Sequence, residues 1–224
     1  MPSAPNEPVA RGISDSMRDG TAHLHRRAEE TGIVKAILSG CTTRCVYAAF
    51  LRNLVPVYRE LETGLERHAH RPKMSVLRRH ELVRSPSLEH DAAKLVGDDW
   101  EKRLPLLPEG ARYAERVAAA AQGDGTLLVA HAYTRYLGDL GGGPLLKRHL
   151  ARTLHLEAAC LTFYEFPAIN DLRACARDYR ASLDAAVTDV CDRDRIVEEA
   201  VAAFRLNIDL SEAILDLATT GPFA

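Results

Sequence analysis

Apolar residues along this chain return at steps of three and four, and almost no stretch alternates with period two, so the pattern predicts helices throughout. Tyr47, Phe50, Leu51, Leu54, Tyr58, Leu61 and Leu65 form one stripe on a helix from about Thr43 to Arg67. Pro56 lies inside that stripe, removes one backbone hydrogen bond and should bend the helix. Val197, Val201, Phe204, Ile208 and Leu215 mark a second long helix near the C-terminus. Ser85-Pro86 reads as an N-cap followed by proline at the first helical position, opening a short helix through Ala93. Further helices are expected from about Glu109 to Ala121, where Gln122-Gly123 stops the pattern, and from Asp171 to Ala185. Gly125 to about Leu150 keeps the helical period but carries four glycines in its middle. The expected architecture is an all-α, single-domain bundle of about eight to ten helices over residues 14–224, with 1–13 as a flexible tail.

Composition narrows the classes of function. A chain of 224 residues suits one domain and needs no disulfide or metal to hold its core. Lys and Arg total 29 against 31 for Asp and Glu, a net charge of −2 that offers no global field for nucleic acid or an anionic membrane. Cys41, Cys45, Cys160, Cys175 and Cys191 are odd in number, contain no C-x-x-C pair and follow no secretion signal. They read as reduced thiols of a cytoplasmic protein. The longest apolar run, Cys45 to Leu51, falls far short of the roughly 20 residues of a spanning helix, so no membrane partner is expected. A monomer is the default expectation.

Two segments carry candidate chemistry. In RDGTAHLHRRAE, Arg18 to Glu29, a turn of about 100° per residue puts Arg18, His25 and Glu29 on nearly one line. A neutral imidazole can bind a metal through one nitrogen while a carboxylate orients its other N–H. Arg18, about 10 Å away along the axis, could meet an anionic edge of a planar ligand. The same His and Glu would also suit a solvated surface pair. In VAHAYTRYLGDLGGGPLL, Val129 to Leu146, Gly138, Gly141, Gly142 and Gly143 surround Asp139. Each helix-interior glycine costs roughly 1 kcal/mol relative to alanine, so four together need a compensating reason. Either they form a loop between two helices, or they let helix backbone pass in contact with a flat ligand beside one carboxylate. No strand precedes them and no G-K-[ST] follows, which disfavours a phosphate loop.

A resemblance joins the two segments. A-Y-T-R-Y-L-G-D-L-x-G-G at Ala132 to Gly143 resembles the signature of the heme oxygenase family. So does L-H-x-x-A-E at Leu24 to Glu29, and F-Y-E-F-P at Phe163 to Pro167 with Tyr179-Arg180 resembles the family's next block. E-E-A-x-x-A-F-x-x-N at Glu198 to Asn207 is similar to its C-terminal helix, and the four blocks occur in family order. The resemblance implies a soluble bacterial enzyme with heme held between a proximal helix and a kinked distal helix. It implies that His25 ligates the iron with Glu29 as its partner, while Gly138 and Gly142 touch the heme face. Asp139 would organise distal water, with Arg135 and Tyr58 extending the catalytic network and Asn207 joining it. Arg18, Arg180 and Tyr133 would meet the propionates, and Phe204 would wall the heme pocket. The implied reaction cleaves heme, both cofactor and substrate, with O2 to biliverdin, carbon monoxide and Fe2+. Electrons would come from a ferredoxin or flavodoxin-type donor with its reductase, since no nucleotide-binding fingerprint is present.

Three departures from the family pattern stand out. Gly141 replaces a common serine and should loosen the distal helix, Pro144 replaces a common glutamine, and Ala176 replaces a basic residue beside Arg177. The first two motivate an alternative, a non-catalytic heme carrier or sensor. A diiron oxidase on the same fold is disfavoured because no Glu has a His three residues later. A thiaminase-like hydrolase is disfavoured because no cysteine stands in a recognisable catalytic setting. His23, His68 and His70 are expected at the surface, and His131 as a packed or surface residue.

Overall fold

The computed structural model describes residues 11–187 and 189–220. Its α-helices are α1 (Ile13–Glu30), α2 (Gly32–Ser39), α3 (Arg44–Arg67), α4 (Pro72–Ser75), α5 (Ser85–Val96), α6 (Trp100–Arg103), α7 (Pro108–Ala120), α8 (Leu128–Thr153), α9 (Leu172–Ala186) and α10 (Val190–Thr220). No strand occurs among the described residues. Of the segment expected as a tail, residues 1–10 lie outside the described residues, while Ile13 is fully buried and opens α1. The start of α1 is capped from a distance: Ser14 donates its backbone N–H to Asp184 Oδ1 of α9 at 2.8 Å and its hydroxyl to Oδ2 at 3.0 Å.

The stripe from Tyr47 to Leu65 places α3 at the centre, where Tyr47, Leu51, Leu54, Tyr58 and Leu61 are fully buried. It packs against α5 and α7, while α10 runs along α1, α2, α7 and α8. Close approach of α1 and α10 depends on Gly20, where a Cβ would stand 2.8 Å from Val197 Cγ1. The α3 helix continues through Pro56 without interruption.

Local differences from the sequence reading have specific causes. Ser85 is not the N-cap of α5 but its first residue, because the Glu62 carboxylate accepts the backbone N–H groups of Arg84 at 2.6 Å and Ser85 at 3.0 Å. That helix runs on to Val96 and stops at Gly97, whose φ of 100° suits glycine. His68 is buried rather than exposed, with Nε2 2.9 Å from the Ala121 carbonyl oxygen, whereas His23 and His70 lie at the surface. Asp171 caps α9 by accepting from the N–H groups of Arg173 and Ala174. The glycine-bearing segment is one uninterrupted helix, α8, and not a loop.

Candidate active site

A cavity of about 460 Å³ opens between α1 and α8, within the range of small-molecule sites. On α1, Leu24 turns inward and packs with Phe204 and Ile208 of α10, which leaves His25, Ala28 and Glu29 to line the cavity. The His25 side chain is 57% exposed, its Nδ1 is 3.7 Å from Glu29 Oε1, and its ring centroid is 5.9 Å from that of Phe204.

The opposite wall is α8. Gly138, Gly141, Gly142 and Leu145 stand at i, i+3, i+4 and i+7, so they form one face of the helix and line the cavity together. A Cβ added at Gly138, Gly141 or Gly142 would meet nothing within 4 Å, whereas one at Gly143 would come 3.2 Å from the Tyr164 ring. Those three glycines therefore present bare helix backbone to the cavity. Val34 and Leu38 of α2, Phe50 of α3, and Phe163 and Tyr164 complete the apolar lining. The loop bearing Phe163 and Tyr164 is clamped from two sides. Asp91 accepts the backbone N–H groups of Thr162 at 3.0 Å and Phe163 at 2.8 Å, and Arg84 donates to the Glu165 carbonyl at 2.5 Å.

Behind the glycine face lies a buried polar network. The Tyr58 hydroxyl donates to Asp139 Oδ2 at 2.5 Å, and Arg135 Nε donates to the Tyr58 oxygen at 3.0 Å. Arg135 Nη1 reaches Asn207 Oδ1 of α10 at 2.6 Å, and its Nη2 is 3.7 Å from Asp139 Oδ1. Burial pushes the Asp139 carboxyl up to about 6, against the pull of the Arg135 guanidinium and the Tyr58 hydroxyl. Burial likewise raises the Tyr58 phenol well above its ordinary value.

Most of the residues singled out in the sequence meet here: His25, Glu29, Tyr133, Arg135, Gly138, Asp139, Gly142, Arg180, Phe204 and Asn207 line the cavity. Tyr58 stands one hydrogen bond behind them. Arg18 does not line it; its side chain is 64% exposed and pairs with Asp15 at 2.8 Å and Asp19 at 3.3 Å. Arg177 is exposed and absent from the lining, so Arg180 is the arginine that α9 brings to the mouth. Sequence reasoning assigned no role to Arg84 and Asp91, although both charges sit beside the F-Y-E-F-P block in space.

The model of the heme oxygenase family matches residues 11–213. The chain belongs to the heme oxygenase family. It is 34% identical to heme oxygenase 1 of Nostoc over 92% of this chain and 87% of that protein. It is 33% identical to human heme oxygenase 1 over 94% of this chain and 74% of the human protein. Among solved structures, heme oxygenase-1 of the cyanobacterium Synechocystis in complex with heme superposes with a TM-score of 0.86 at 33% identity, covering 93% of both chains. A TenA homologue from P. horikoshii, 15% identical with a TM-score of 0.69, shares the fold alone. As a family member the chain is an enzyme of the heme oxygenase class, and no helix among its described residues is long and apolar enough to cross a membrane.

Proposed function

We propose that the cavity takes heme as its substrate and that the chain cleaves it, with O2 and externally supplied electrons, to biliverdin, carbon monoxide and Fe2+. One observation carries this reading: a half-exposed imidazole faces a helix surface stripped of Cβ atoms, with a buried carboxylate raised to about 6 directly behind that surface. Among the described residues no three His, Cys, Asp or Glu side chains gather to hold a metal ion. A lone imidazole suits a metal whose other positions come with a flat macrocycle, and the glycine face suits the flat surface. Bound heme would supply both the iron at which O2 is reduced and the carbon framework that is oxidised.

The chain's own residues then divide the work. Glu29 stands on the Nδ1 side of His25 and leaves Nε2 as the ligand atom. Phe204 lies beside that imidazole, and Gly138 and Gly142 bring helix backbone to the opposite side of the cavity. Asp139 orders water on that face and passes protons to it, because a carboxyl near 6 both takes and gives a proton at neutral pH. Arg135, Tyr58 and Asn207 hold its orientation. Arg180 and Tyr133 at the mouth bind the carboxylate groups of the ring edge, and Arg18, released from Asp15, would join them. A ferredoxin or flavodoxin-type donor and its reductase supply the electrons.

A single turnover tests the reading. Protein carrying one equivalent of hemin is given reductant and air with catalase present. The expected result is loss of the heme band with appearance of a biliverdin, whose isomer reports how the ring edge is held. Stable heme binding without pigment, across several electron donors, would replace the reading with a carrier or sensor.

A further inference from the structure

The aromatic wall of the cavity is held by two buried charges, one inside α5 and one just before it. Asp91 is fully buried, and its side chain accepts hydrogen bonds from the loop between α8 and α9. Its Oδ1 takes the Thr162 N–H at 3.0 Å and the Thr162 hydroxyl at 2.6 Å, while Oδ2 takes the Phe163 N–H at 2.8 Å. Arg84, also buried, gives its side-chain donors to backbone carbonyls. Those of Glu81 and Val83 lie beside it in sequence, and those of Phe163 at 3.4 Å and Glu165 at 2.5 Å belong to the loop. Its guanidinium also lies 4.3 Å from the centre of the Phe166 ring. Neither side chain forms an ion pair among the described residues.

A buried charge without a counterion costs several kcal/mol unless polar groups replace the water it has lost. The loop is that replacement: its first N–H groups face the carboxylate, and its later carbonyls face the guanidinium. Burial pushes the Asp91 carboxyl up, and hydrogen bonds from Thr162 and Phe163 oppose it. Burial lowers the Arg84 guanidinium, against the attraction of Asp139, Tyr58 and Glu62. The loop cannot slide without stranding one charge or the other, so an irregular segment is held firmly. It carries Phe163 and Tyr164, which line the cavity yet are almost wholly buried, with the Phe163 ring edge-on to Tyr58 at 5.6 Å. This wall stands at the inner side of the cavity, whereas Arg180 is exposed at the mouth. A flat ring gripped at the mouth by its carboxylates can turn in its own plane until its inner edge meets the wall.

We propose that Asp91 and Arg84 are positioning residues: by pinning the loop they set where the wall stops the ring, and so which bridging carbon of heme is cleaved. This role rests on the heme-degrading reading of the cavity, but its first test does not. In heme-free protein followed by amide hydrogen exchange, the Thr162 and Phe163 N–H groups should exchange as slowly as those inside α5. Asp91→Asn keeps the shape but has one acceptor oxygen, so its NH2 must face one of the loop donors. Exchange at Thr162 and Phe163 should then quicken about tenfold, the scale of a lost hydrogen bond to a charged group. Wild-type amides that exchange as fast as an exposed loop, or unaltered exchange in the variant, would overturn the proposal.

The second test uses heme. In Asp91→Asn and in Arg84→Gln the share of minor biliverdin isomers should rise about threefold over wild type. Heme methyl proton signals of the cyanide-bound ferric protein, which report the in-plane angle of the ring without turnover, should shift in step. Val117→Ala truncates a buried residue of α7, a helix packed mainly against α3 and α10. It should lower the melting temperature and leave both readouts as in wild type. A wild-type isomer pattern and ring angle in Asp91→Asn, or the same change in Val117→Ala, would overturn the proposal. Should a charge variant fail to fold, Thr162→Val, which removes one hydroxyl donor to Asp91, takes its place in both tests. If wild-type protein binds heme without forming biliverdin, the functional reading fails, and the ring angle alone decides whether the clamp seats the ring.

Discussion

On the α1 side of the cavity, His25 is more than half exposed and Glu29 stands off at 3.7 Å, whereas on the α8 side Asp139 is buried and held by Tyr58 at 2.5 Å with Arg135 behind it. The two walls put their functional groups in place by opposite means. The position of His25 comes from its neighbours: Leu24 and Phe204 bury their apolar surface and carry the imidazole along at the rim. Asp139 is instead embedded, and the cost of burying its charge is offset by hydrogen bonds and raises its pKa. The imidazole is left exposed at the rim, and the carboxylate is locked in a buried network.

The strongest way to break this comparison is at His25. His25→Ala should abolish turnover and the imidazole-ligated ferric spectrum, and added imidazole should restore the spectrum. Stability of the heme-free protein should stay within about 0.5 kcal/mol, as for other exposed substitutions. A normal spectrum in that variant would move the ligand to another histidine. On the locked side, Asp139→Ala should keep heme affinity yet slow biliverdin formation about 100-fold, the scale of a lost acid–base group. An unchanged rate would remove Asp139 from the distal role.

Titration sharpens the contrast within the buried charges. Turnover should fall on the acid side with a midpoint near 6 as Asp139 takes up its proton. Stability should move in the opposite sense. Between about 6 and about 3.9 the folded chain holds a proton at Asp139 that the unfolded chain lacks, so this group's share of stability rises as pH falls. Glu199, held at about 2 against burial by hydrogen bonds from His131 and Arg116, gives stability that is present above about 4.3 and lost as pH falls toward 2. Denaturant titrations should therefore find Asp139→Asn more stable than wild type at neutral pH, with the margin shrinking toward about pH 4. A margin independent of pH would contradict a raised carboxyl at this position.

Much of this site was legible as pattern. The stripe from Tyr47 to Leu65 marked α3 because a central helix buries a wide apolar face, and the spacing of His25 and Glu29 put both on one rim. Periodicity could not decide whether Gly138 to Gly143 formed a loop, since glycine lacks the side chain on which a period is read; the helix nevertheless runs unbroken from Leu128 to Thr153 and, as a whole, packs along α9 and α10. Arg18 shows another limit. Its alignment with His25 was correct, but Asp15 at i−3 competes for the guanidinium, and helix geometry alone ranks neither partner first. His68 and the Glu62 cap of α5 depend on residues distant in sequence, so no local signal held them.

The mildest substitution tests why the open wall is bare. Gly142 is a helical residue whose added Cβ would meet no atom within 4 Å, so Gly142→Ala should stabilise the heme-free protein by about 0.5–1 kcal/mol. The neighbouring Gly143→Ala gains less, because its Cβ would stand 3.2 Å from the Tyr164 ring. If the glycine face exists to admit a flat ligand, the order reverses for heme. Gly142→Ala should then weaken binding more than Gly143→Ala, since Gly142 lines the cavity and Gly143, whose methyl would rest against the Tyr164 ring, does not. Thermal melts of the heme-free variants and hemin titrations together read both orders. Equal heme affinity in the two variants would mean that the bare backbone of α8 is not the surface that heme touches.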